Sequence, residues 1–176
     1  VDNLLVLEPI ITDNREIGGR FDWDRYHVEV SYYESDSDFG ERLTEVNGTW
    51  VGNREKTEIQ GVEVTADADL NDAHNLAFSY TYADGESDTD GDGDVDTELS
   101  GINIAPETLK LSWSAAWTKT LSSHLQLAQF LDRDIEGDDL DFDGYGLVDG
   151  SVAYRTGAGK LSLGIENLLD KDYFTY

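Results

Sequence analysis

Large apolar residues occupy every second position along most of this chain. Val28, Val30 and Tyr32 alternate with Glu29, Ser31 and Tyr33, and Val62 and Val64 with Gly61, Glu63 and Thr65. Leu76, Phe78, Tyr80 and Tyr82 repeat the pattern, as do Leu109, Leu111, Trp113, Ala115 and Trp117. Leu125 and Leu127, then Val148, Gly150, Val152 and Tyr154, carry it onward. A period of two puts each set on one face of a β-strand, and no segment shows the helical period. The intervening residues constrain the fold further. Ala77, Ser79, Thr81, Ser112, Ser114, Ala116, Ser151 and Ala153 are too small to fill a dry core, and only a few charges (Glu63, Lys110, Asp149) join them. A bulky apolar face backed by a small polar one suits a sheet with lipid on one side and a wet or plugged lumen on the other. Trp23, Tyr26, Tyr80, Tyr82, Trp117 and Tyr154 fall near the expected strand ends, where aromatic girdles form.

The connections alternate in length as well. Short turn signals sit at Trp23–Asp24–Arg25, Leu70–Asn71–Asp72–Ala73, Thr118–Lys119–Thr120 and Arg155–Thr156–Gly157–Ala158–Gly159. Between them come longer acidic, Gly-rich stretches, expected at residues 35–53, 84–106 and 132–144. Tight turns at one end and long loops at the other predict an all-β, antiparallel up-and-down meander of about eight strands, part of a larger transmembrane β-barrel.

Composition narrows the partners. The chain has 38 acidic and 12 basic residues, a formal charge of -26. That balance argues against nucleic acid, which needs a basic footprint, and against docking on an anionic membrane surface. The charge either serves solubility or is gathered in loops that face cations or a charged ligand. Cysteine is absent, so neither disulfides nor thiol chemistry is available. Methionine is absent too, which fits a fragment taken from within a longer protein. No apolar run reaches the roughly 18 residues of a membrane helix, a test to which barrel strands are invisible.

The densest candidate site is Asp88–Thr89–Asp90–Gly91–Asp92–Gly93–Asp94–Val95–Asp96. Alternate carboxylates between small residues can wrap oxygens around a hard cation, and Gly93 stands at the sixth position of a calcium loop. Asp88, Asp90, Asp92, Asp94 and Asp96 are therefore the candidate ligands, with Ca2+ ordering the loop and no cofactor required. The pattern departs at its end, where Leu99 holds position twelve and Glu98 falls one residue early. A solvated acidic loop is the competing reading. Asp132, Asp134, Glu136, Asp138, Asp139, Asp141 and Asp143 form a second acidic run, expected at the same rim. His27, His74 and His124 sit near the short turns of separate strands, where surface or interface roles are expected. No nucleophile elbow, phosphate loop or metal-protease spacing occurs, so no catalytic residue and no enzymatic activity are expected.

The last strand, Lys160–Leu161–Ser162–Leu163–Gly164–Ile165–Glu166, alternates in the same way and then breaks into Asn167–Leu168–Leu169–Asp170–Lys171–Asp172–Tyr173. This ending resembles the Asn-Leu-Phe-Asp-Lys-x-Tyr close of TonB-dependent outer-membrane receptors, with Leu169 in place of Phe. Further matches follow the family's order: Leu7–Glu8–Pro9 with Arg15–Glu16–Ile17–Gly18–Gly19–Arg20, Gln60–Gly61–Val62–Glu63, Ile104–Ala105–Pro106–Glu107–Thr108 and Leu147–Val148–Asp149. Ile10 departs from the acid that the family often has there.

The resemblance implies a barrel of about 22 strands around a plug. Residues 1–176 would be the C-terminal portion of that barrel, lacking the plug, the earlier strands and the last strand. Asn167 to Tyr173 would begin the last extracellular loop. It further implies a Gram-negative outer-membrane receptor that takes up a scarce nutrient, most commonly a ferric siderophore. Its partners would be membrane lipid, the plug, the TonB energy-coupling complex and a small-molecule ligand. Two alternatives remain from the residues alone: a complete eight-stranded barrel, and a secreted acidic calcium-binding β-domain.

Overall fold

A computed structural model of the chain describes residues 10–99, 101, 103–133 and 142–174. Leu7–Glu8–Pro9 and, in the second acidic run, Asp134, Glu136, Asp138, Asp139 and Asp141 lie outside the described residues. The strands are β1 (Thr12–Trp23), β2 (Tyr26–Val46), β3 (Thr49–Asn71), β4 (His74–Ser87), β5 (Thr97–Glu98), β6 (Thr108–Ala116), β7 (Leu121–Phe130), β8 (Tyr145–Thr156) and β9 (Gly159–Ile165). They form one antiparallel sheet in the order β1-β2-β3-β4-β6-β7-β8-β9, with the short β5 beside β4. The meander is as expected. Among the described residues the sheet stays open: β1 and β9 are its two ends and do not pair with each other, unlike the closed eight-stranded alternative.

Register carries the alternation across the sheet, because directly paired residues share a face. One row runs Phe21, Val28, Ala66, Phe78, Leu111, Leu127, Val148. The next runs Trp23, Tyr26, Ala68, Leu76, Trp113, Leu125, Gly150, Ile165. On the other face Asp22, His27, Asp67, Ala77, Ser112, Gln126 and Asp149 form the corresponding row. The apolar face is uncovered. Ile17 is 74% exposed and Leu163 72%, which water would not tolerate over a whole face but lipid would.

The apolar belt also drifts. On β1 it runs from Trp23 to Ile17, and above Ile17 the same face carries Arg15 and Asp13. On β8 and β9 it lies about two rows nearer the short turns, at Val152, Tyr154, Leu161 and Leu163. A belt that slides along successive strands is what strands tilted to a membrane normal require. At the short-turn edge Trp113 stacks on His74 at 5.6 Å, and Trp117 meets both edge-on.

The four short turns fall where expected, with Asp24 at φ 46. The long connections need correction. The residue pattern predicts a loop over 35–53, yet β2 and β3 continue through them, 21 and 23 residues long. They meet in a two-residue turn at Asn47 (φ 52) and Gly48 (φ 78), the mirror-image turn that asparagine and glycine favour. At about 3.3 Å per residue, β3 far exceeds a membrane band about 25 Å tall, so this hairpin projects beyond it. The expected loop at residues 84–106 is also shortened, because β4 continues to Ser87 and β5 interrupts the remainder.

Candidate functional site

The described residues bury few side chains, and apart from Ala115 near the short turns and Ala128 in the wall these lie at the long-connection end, on the polar face. Ser37, Thr57 and Ser87 form one cross-strand row there, 7%, 5% and 0% exposed. Leu99 and Ile104, from the β4–β6 connection, cover the neighbouring row. Gly85 makes this possible: a Cβ at that position would stand 2.9 Å from Leu99 Cδ1 and 3.1 Å from both Ile104 Cδ1 and Ile59 Cγ1. The connection is thus seated on the inner side of the sheet, beneath the projecting hairpin. The Leu99 amide donates to the Gly85 carbonyl and holds it there. The Oγ of Ser87 is buried without a hydrogen-bond partner.

Two arginines brace this region. Arg42 donates to both carboxylate oxygens of Glu55, at 2.6 and 3.1 Å, within the hairpin. Both are mostly buried, and a bidentate charge-assisted pair ties the two strands together. Arg133, at the end of β7, donates to the Ala83 carbonyl, the Asp84 carboxylate and the Leu99 carbonyl. It joins the β7–β8 connection to β4 and to the β4–β6 connection. At the same end, Tyr145 packs at a tilt against Phe130 and Tyr173, with ring centroids 4.6 and 4.8 Å apart. Tyr173 arrives from the segment after β9, which leaves the sheet at the long-connection side as expected. The Asn167 amide donates to Asp149, a polar-face residue, so this segment also turns inward.

The acidic run directly follows β4. One carboxylate oxygen from each of Asp88, Asp90 and Asp92 lies within 4.8 Å of the others. Asp94 and Asp96 are not drawn into that group. The Asp88 carboxylate accepts from the amides of Gly91 and Gly93, and Gly93 has φ 101. Asp132 and Asp143, the described acids of the second run, lie at the same end of the sheet, as expected from the meander. The histidines do not converge. His27 and His124 face the polar side, beside Asp22 and Ser114, while His74 lies among the tryptophans of the apolar side. The hairpin and the Arg133 brace are not among the features expected from the sequence. The Asn47-Gly48 dipeptide was an available signal for the first; nothing local marks Arg133.

Residues 3–168 match the model of the TonB dependent receptor-like β-barrel family. The chain belongs to that family. Among solved structures, the copper transporter OprC superposes with a TM-score of 0.81 at 21% identity, over 95% of this chain and 26% of its own. The ferric yersiniabactin uptake receptor FyuA from Yersinia pestis gives 0.72 at 17% identity, over 92% and 25%. A mutant of the ferric enterobactin receptor PfeA from Pseudomonas aeruginosa gives 0.70 at 19% identity, over 92% and 26%. The chain therefore spans about a quarter of the length of these receptors, and identities this low establish the shared fold. In a TonB-dependent barrel of the Gram-negative outer membrane the apolar face meets lipid, and the polar face lines the lumen. The tucked connection, Arg133 and the Tyr145 group stand together at the long-connection end of the sheet.

Proposed function

We propose that this segment forms part of the wall and extracellular mouth of an outer-membrane active importer for a scarce nutrient, with a ferric siderophore as the substrate. The observation that carries this reading is the two-faced sheet whose buried polar row, Ser37, Thr57 and Ser87, and seated β4–β6 connection lie together at the long-connection end. Wall positions are uncovered, whereas the mouth is braced, as a ligand-capturing surface requires. The iron-chelate receptors among its structural neighbours support the substrate class. Capture would be completed by a plug in the lumen, coupled to TonB, with plug movement opening the path. The segment contributes structure and loops, and no residue in it is assigned a catalytic role.

Ca2+ at Asp88, Asp90 and Asp92 belongs to the same proposal, with Asp94 and Asp96 as the reserve carboxylates of the run. The spacing of the acids, their shared position within 4.8 Å and the left-handed Gly93 support it. The ion would order the mouth and take no part in chemistry. A terbium-luminescence titration of the intact receptor should report binding that calcium displaces, and that disappears with Asp88, Asp90 and Asp92 changed to Asn. Equal luminescence in the variant would remove the site.

The substrate is tested with cells whose only iron importer is an intact receptor carrying this segment. Uptake of radiolabelled iron from a panel of ferric siderophores should exceed that of cells without the receptor, and should vanish when TonB is deleted. TonB-dependent uptake of copper salts, with no iron uptake from any chelate, would overturn the substrate class while leaving the family intact.

A further inference from the structure

The apolar face carries one side chain that lipid tails alone would not suit. Between the short turns and the row Ile17, Tyr32, Val62, Tyr82, the strand registers place a single Asp, Glu, Lys, Arg or His on that face among the described residues, and it is His74. His74 opens β4, at the border between two media. Toward the membrane its neighbour on the same face is Leu76. Away from it lies the turn, where Arg25 and Asp72 pair at 3.0 Å with the Asp72 side chain 95% exposed. The imidazole is held in place. Trp113 lies parallel to it, with ring centroids 5.6 Å apart and planes at 7°, and Trp117 stands edge-on to both. Trp117 is itself fixed, because its Nε1 donates to Ser123 Oγ at 2.9 Å. Ala115, the cross-strand partner of His74, is only 3% exposed at the foot of this cluster. Stacking takes a face of the imidazole, whereas its two nitrogens lie in the ring plane and point away from the stack.

We propose that His74 binds the headgroup phosphate of a phospholipid in the leaflet at the short-turn end, with Trp113 and Trp117 as the platform that aims its ring. Tryptophans at this level by themselves anchor a barrel in the interface. His74 adds an N–H donor, and the charged acceptor that lipid presents at this border is the phosphodiester. A polar, ionisable group on a lipid-facing surface is costly without such a partner. A hydrogen bond to an anionic oxygen is also stronger than one to a neutral acceptor. The local charge agrees. The chain as a whole is strongly acidic, yet the turn from Trp117 to Thr120, beside the cluster, carries Lys119 and no acid. The proposal rests on the apolar face meeting lipid, as in the barrel reading above, and is independent of the imported substrate.

The test uses an intact receptor carrying this segment, with isotope-labelled histidine, in vesicles of phosphatidylethanolamine and phosphatidylglycerol. Solid-state NMR should show a histidine ring nitrogen dephased by lipid phosphorus. That signal should be lost in His74→Phe, which keeps a stacking ring and removes both nitrogens. Native mass spectrometry should find phosphatidylglycerol held about tenfold more weakly by His74→Phe, the loss of one hydrogen bond to a charged acceptor. His74→Gln, which restores an N–H donor, should recover part of the retention. Dephasing or retention that survives in His74→Phe would overturn the proposal. Glycerol phosphate, which lacks acyl chains, should leave the dephasing unchanged; if it displaces the lipid, the site serves soluble phosphate and the lipid proposal falls. A nitroxide on Leu111→Cys provides the control for the face itself. It should be reached by oxygen and shielded from a water-soluble nickel chelate. Access by the chelate would overturn the lipid-facing reading together with the proposal. A shielded nitroxide with no phosphorus contact at His74 would overturn the proposal alone.

Discussion

Gly85 has a fixed role because the space above it is already taken. Gly85→Val would drive its side chain into Leu99, Ile104 and Ile59 and push the β4–β6 connection off the sheet. Overpacking of this kind costs about 1–3 kcal/mol. Limited proteolysis of the intact receptor should show new cleavage within residues 88–107, while the barrel keeps its heat-modifiable mobility. An unchanged digestion pattern would show that the connection is not seated on Gly85. Single residues were unevenly legible in sequence. The Asp-x-Asp-x-Asp-Gly spacing marked a cluster that does form at Asp88, Asp90 and Asp92. Arg133 and Asn103 gave no sign, because their partners lie 34 to 60 positions away and are mostly backbone atoms without a sequence signature.

The strands differ in how openly they announce themselves. From β6 to β9 each face meets a different medium, so the alternation is clean and the turns were found within a residue or two. The outer part of the β2–β3 hairpin reads as a loop in the sequence. Beyond the membrane both of its faces are wet, so Glu41, Arg42, Thr44 and Glu45 mix with Leu43 and Val46 without a greasy period. Its real signal was the turn. Replacing both Asn47 and Gly48 with Ala should loosen the hairpin, since alanine in left-handed backbone costs about 1 kcal/mol per position. Faster amide exchange at Val46 and Thr49 than in the parent is the readout. The two faces of β6 give a sharper contrast. Leu111→Arg puts a charge into the apolar belt and should cost about 2–4 kcal/mol near the bilayer midplane. Ser112→Arg, one residue on, faces the lumen and should leave barrel assembly intact. Urea titration of the receptor in lipid vesicles distinguishes them, and equal destabilisation would contradict the assignment of faces.

At the scale of the molecule, charge and openness matter most. Asp88, Asp90, Asp92, Asp132 and Asp143 lie at one rim, within a chain of net charge -26. Such a rim raises the local concentration of cations and of cationic chelates, and salt screens the effect. Changing the acids of both runs to Asn and Gln should weaken uptake by the intact receptor and flatten its dependence on ionic strength. Uptake that stays the same would refute an electrostatic role for the rim.

The sheet, its apolar and polar faces, the positions of the short turns and the family are all legible in the chain's residues alone. All of these follow from local alternation, turn chemistry and short motifs. The length of the β2–β3 strands, the inward fold of the β4–β6 connection over Gly85, and the ties made by Asn103 and Arg133 emerge only from the folded chain. Those contacts join residues far apart in the chain through main-chain atoms, which every residue possesses and no sequence pattern distinguishes.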